Sequence, residues 1–113
     1  MKTRRVYEVS ALLKQMISNL IVKDLPEDMG IVTVIDVIVT NDLKLAKVYI
    51  SVIDQNKELD VLDFLVKHTK QFQHYLGKNL KMKFTPKLEF IIDKYQDDLN
   101  RVEKLYEEIE HGT

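Results

Sequence analysis

Residues 31–53, IVTVIDVIVTNDLKLAKVYISVI, contain two β-branched runs divided by Thr40, Asn41 and Asp42, and no other stretch limits the fold so tightly. Turn-forming residues between runs of valine and isoleucine specify a hairpin of two antiparallel strands. In the second run Ala46, Val48, Ile50 and Val52 alternate with Lys47, Tyr49 and Ser51. One face of the sheet is therefore buried, and the other, carrying those three polar residues, is left uncovered. The first run breaks the alternation, because Ile35 and Ile38 are apolar on both sides of Asp36. A bulge near Asp36 lets Val32 and Val34 share a face with Val37 and Val39.

The flanks supply what covers this sheet. Val6, Val9, Leu13, Met16, Ile17 and Leu20 recur at three and four residues, which predicts a helix over 4–23, ended by Asp24, Leu25 and Pro26. Leu62, Leu65, Thr69, Phe72, Leu76 and Leu80 keep the same spacing and predict helix over 57–81, as one long helix or a pair. Glu58, Asp60 and Asp63 sit at its start, where carboxylates suit the positive end of the helix dipole. After Pro86, the residues Leu88, Phe90 and Ile92 alternate with Glu89 and Asp93 as a third strand, and Leu99, Val102, Leu105, Tyr106 and Ile109 mark a closing helix over about 97–110. The expected architecture is α+β: one domain over 1–113, with a small three-stranded mixed sheet, a helical crossover to the third strand, and helices on one face.

The chain lacks cysteine, which removes disulfides and thiolate chemistry together and fits a reducing cytoplasm. No run approaches the roughly 18 apolar residues of a membrane span. A basic amphipathic presequence over Lys2–Leu20 is disfavoured because no linker separates it from the rest of the chain.

A formal net charge of -1 hides strong segregation. Residues 1–23 carry five bases and one acid, 24–63 three bases and nine acids, 64–87 six bases and no acid, and 88–113 three bases and eight acids. On a straight helix Lys67, Lys70, His74, Lys78 and Lys81 share an arc of about 80°, opposite the apolar stripe. Such a face suits either bulk solvent or phosphates, and the residues alone do not decide between them. Lys83 and Lys87 extend the charge into the next connection, and Arg4 and Arg5 join it if the first helix begins nearby. Lys47 and Tyr49 on the uncovered sheet face are weaker candidates.

Catalytic and metal chemistry find no support. Gly77, followed by Lys78, Asn79 and Leu80, matches neither a P-loop nor a dinucleotide fingerprint and is expected to close or weaken a helix end. His68 and His74 are six residues apart, a poor spacing for a shared helical metal site. The serines lie outside any nucleophile elbow, and Asp36 has no evident partner for acid–base work.

Residues 24–52, DLPEDMGIVTVIDVIVTNDLKLAKVYISV, and 76–93, LGKNLKMKFTPKLEFIID, closely resemble the two signature blocks of the ribosome-binding factor A family. The match rests on Asp24, Gly30, Val32, Thr33, Asp36, Val37, Asp42, Leu43, Ala46, Lys47, Val48, Tyr49 and Val52 in the first block. In the second it rests on Leu76, Gly77, Leu80, Pro86, Leu88, Phe90 and Asp93. The resemblance implies a KH-like domain of the type II arrangement in a cytoplasmic, non-enzymatic factor that binds the free small (30S) ribosomal subunit. It also implies help with late maturation, including processing of the 5′ end of 16S rRNA, and with adaptation to cold. Ordinary KH domains hold single-stranded backbone with a GxxG loop; this family has a helix kink at Ala-x-Gly instead. The chain departs from it there, with His68, Thr69 and Lys70, and again with Tyr95 and Leu99 where serine and glycine are usual, although Arg101 matches.

The combined expectation is a monomeric RNA-binding assembly factor without cofactor, metal or membrane partner. Lys67, Lys70, Lys78, Lys81, Lys83 and Lys87 would contact phosphates of 16S rRNA, with His74 nearby. A rival expectation is a protein-interaction module that meets a basic ribosomal protein through the acidic closing helix.

Overall fold

The computed structural model describes residues 3–80, 82 and 84–93. Lys81, Lys83 and the expected closing helix over 97–110 lie outside the described residues. Helix α1 spans Arg4–Asp24, strands β1 and β2 span Val32–Val39 and Leu45–Val52, helices α2 and α3 span Glu58–Lys67 and Thr69–Leu80, and strand β3 spans Lys87–Ile92. This helix-strand-strand-helix-helix-strand order is the expected KH-like one.

β1 and β2 pair antiparallel, and β3 joins β2 in parallel after the crossover through α2 and α3. The register slips between Val34 and Asp36, leaving Ile35 as the extra residue. That bulge puts Val34, Val37 and Val39 on the buried face, with half-buried Val32 packed against the same core, as the broken alternation predicts. At the turn, Asp42 accepts from Thr40 Oγ1 at 2.6 Å and from the Lys44 backbone N–H at 3.0 Å. These two bonds hold the Asp42 carboxyl below its ordinary pKa.

One layer of side chains joins helices and sheet. Val6, Leu13 and Ile17 of α1, Val48 and Ile50 of β2, Val61 and Leu65 of α2, and Phe72 and Leu76 of α3 are all buried. Thr3 begins α1 by accepting from the Val6 N–H at 3.3 Å. On the opposite sheet face Lys47 and Tyr49 are half-buried, while Ser51, expected to be exposed there, is buried.

Of the two readings of 57–81, the pair forms and not the straight helix that would put Lys67 on one stripe with Lys70, because the chain breaks at His68, whose φ of -99° and ψ of 6° interrupt the helix. No glycine or proline causes the break. The His68 backbone N–H donates to the Phe64 carbonyl at 3.1 Å, the His68 Nδ1 lies 2.8 Å from the same oxygen, and Thr69 Oγ1 donates to the Leu65 carbonyl at 2.9 Å. A carbonyl only accepts, so Nδ1 carries the proton. The His68 ring thus adds a second bond to a carbonyl the backbone already pairs, and Thr69 bonds another carbonyl in the last turn of α2.

Gly77 is also not a terminator, since α3 runs on to Leu80. Its reason is close approach: a Cβ there would lie 2.8 Å from Thr85 Oγ1. Alanine at a helical site ordinarily gains about 1 kcal/mol over glycine. In Gly77→Ala that gain should be lost to the clash with Thr85, so the variant unfolds at lower urea than the wild type. Adding Thr85→Ala should restore stability by about 1 kcal/mol relative to the sum of the single changes. Additive effects in urea titrations would contradict this role for Gly77.

Candidate nucleic-acid interface

The break at His68 re-aims the second half of the crossover. The Phe64 and His68 rings stack with centroids 4.0 Å apart, His68 lies 6.5 Å from Phe72, and Phe72 meets Phe90 edge-on at 6.3 Å. This aromatic series runs from α2 through the junction to α3 and on to β3, fixing α3 against the sheet. With Phe72 and Leu76 buried, Lys70, His74 and Lys78 are exposed on the far side at successive intervals of four residues. α3 contains no acidic residue.

The sequence-predicted cations fall into separate groups. Lys67 ends α2, so it stands on a different helix from Lys70, and it pairs with Asp63 at 2.9 Å. Lys47 and Tyr49 lie on the other face of the sheet, where Lys47 neighbours Glu89 across the β2–β3 pairing. Arg4 pairs with Glu8 at 3.0 Å. Arg5 meets the condition for joining α3, because the start of α1 lies beside the end of α3 and Arg5 lines a crevice with Glu8, Leu12, Leu80 and Met82. That contact spans most of the chain, and no local pattern reveals it.

Lys87 belongs to a feature that periodicity could not show. A groove of about 610 Å³ runs between the α2–α3 junction and β3, with Lys70 and Gln73 on the helical wall and Lys87 and Glu89 on the strand wall. Val66, Leu88 and Phe90 make its lining largely apolar. β3 pairs with β2 on one side, and within the described residues no strand pairs with its other edge. A groove with an apolar lining, cations on both walls and a free strand edge can take flat rings inside and phosphates along its rim. Glu89 is the single acid among these lining residues.

A family model described as Ribosome-binding factor A matches residues 5–106. The protein is 35% identical over 109 residues to a ribosome-binding factor A of Bdellovibrio bacteriovorus, covering 95% of this chain and 81% of that one. Identity to the corresponding Chlorobium luteolum protein is 35% over 106 residues, covering 91% and 89%. Among solved structures, the crystal structure of ribosome-binding factor A from Thermus thermophilus superposes with a TM-score of 0.69 at 22% identity, over 77% of this chain and 94% of that one. A Thermus thermophilus coordinate set fitted into the cryo-EM map of a 30S–RbfA complex gives 0.66 at 23% identity, over 74% and 90%. These structural likenesses show the same KH-like fold.

The geometry separates the two histidines by role. His68→Ala removes a hydrogen bond and an aromatic stack at the junction and should lower unfolding free energy by about 1–2 kcal/mol. His74→Ala, at an exposed position, should stay within about 0.5 kcal/mol of wild type. Equal losses in denaturant titrations would contradict the assignment of His68 to the junction and His74 to the surface.

Proposed function

Because the chain belongs to the ribosome-binding factor A family, we propose that it is a non-catalytic assembly factor that docks on RNA of the free small ribosomal subunit through α3 and the groove beside β3. The observation that carries this reading is the exposed series Lys70, His74 and Lys78 on a helix without acids, which ends beside Arg5 and borders the groove holding Lys87. Phosphate contacts would come from these cations, and the apolar groove would receive unstacked bases of a single-stranded segment. The finer role we propose is support of late maturation and 16S rRNA 5′-end processing in the cytoplasm. The factor would act there by holding RNA in position and would itself break no bond.

Support comes from the family relationship together with charge placement. The same fold occurs in a protein whose coordinates were fitted into a map of a 30S–RbfA complex. Lys67 contributes less in this reading, since Asp63 competes for it. Lys47 and Tyr49 face away from α3 and are not needed for the docking surface.

Affinity for the free small subunit should fall steeply with salt, with a log–log slope of roughly 0.7–0.9 for each phosphate contacted. The triple variant Lys70→Glu, Lys78→Glu, Lys87→Glu should bind much more weakly and show a shallower slope, by about two units or more for three lost contacts. Sedimentation binding at several salt concentrations reads both quantities. Unchanged affinity and slope would sink the reading.

A further inference from the structure

In the acid-rich part of the chain, the end of α1 and the start of β1 enclose a second groove of about 410 Å³, lined by Ile21, Val22, Leu25, Pro26 and Ile31 among others. Two of its apolar side chains are open to solvent, Val22 at 82% and Ile31 at 67% exposure. Ile53, 58% exposed, continues the patch, because its backbone N–H bonds to the Ile31 carbonyl at 3.1 Å and sets the two side by side. Contiguous exposed apolar surface rimmed by polar groups marks an interaction site.

The rim identifies what kind of partner fits. Glu27 lines the groove, and the exposed acids Asp28 and Asp54 directly follow Glu27 and Ile53 in the chain. The nearest lysine in sequence, Lys23, lines a different crevice together with Asp24, Gln71 and Tyr75 on the α3 side. RNA phosphates would meet carboxylates here, so the face is closed to RNA by like-charge repulsion. A second copy of the chain would bring the same carboxylates. Residues 94–113 follow β3 from this end of the sheet, and they hold six acids against three bases, so they too carry the wrong sign.

We infer that this groove docks a cationic, amphipathic protein segment, with apolar side chains seated against Val22, Ile31 and Ile53 and lysines or arginines meeting the carboxylate rim. On the function proposed above, on which this identification rests, that segment belongs to a protein component of the small subunit. The factor then reads two chemistries with two surfaces, RNA through α3 and basic protein through the end of α1 and the start of β1. Charge complementarity of this kind sets register and rejects the wrong partner at each surface.

The test uses the full chain and two surface variants, Ile31→Glu and the pair Glu27→Lys, Asp28→Lys, with thermal melts to confirm folding. Binding is measured to intact free small subunits and to protein-free 16S rRNA transcript. Both variants should weaken binding to intact subunits by about tenfold and leave transcript binding unchanged. If Ile31→Glu fails to fold, the charge-reversed pair still decides by the sign of its effect. Tighter binding of that pair to both targets would show that the face meets RNA, and unchanged binding to intact subunits would show that the groove is unused; either overturns the inference alone. A wild-type chain that binds neither target overturns the proposed function and this partner with it.

Discussion

Two side chains at one junction decide how the functional surface is built. His68 and Thr69 bond the last carbonyls of α2, which lets the chain turn without glycine or proline and start α3 in a new direction. Phe72 and Leu76 can then reach the sheet while Val61 and Leu65 stay buried in it from the preceding helix. A straight helix would carry Lys67, Lys70, His74 and Lys78 as one stripe. In the broken one Lys67 ends α2, where it pairs with Asp63, the other three are exposed on α3, and a groove runs between the junction and β3.

Much of the fold is legible in the residues because burial imposes a period. The alternation in β2, its interruption at Asp36, and the three- and four-residue spacing in α1 each map onto the observed element. What is not legible has a common cause. The apolar spacing runs through His68 unbroken, and the break depends on side-chain bonds from residues that are ordinary in helices. Gly77 misleads for the same reason: a glycine near a helix end signals termination locally, but here it answers to Thr85 on a different segment. Ser51 obeys the alternation yet is buried, so alternation places a side chain on a face without saying how covered that face is.

Candidate site residues are legible in proportion to how local they are. Lys70, His74 and Lys78 follow from helical geometry within α3. Arg5 and Lys87 take their places only through tertiary contacts, one across the α1–α3 crevice and the other across the groove. The turns near Glu27 and Asp54 meet where β1 begins and β2 finishes, and α3 carries its lysines on the outer side of the helical layer.

The central claim is that the exposed face of α3 touches RNA when the factor is bound. A photo-crosslinking amino acid placed at position 74 tests it directly, on the full chain bound to free small subunits. Adducts to a short run of rRNA nucleotides are the expected result. Adducts to ribosomal protein alone, or none from a chain that still binds, would contradict it.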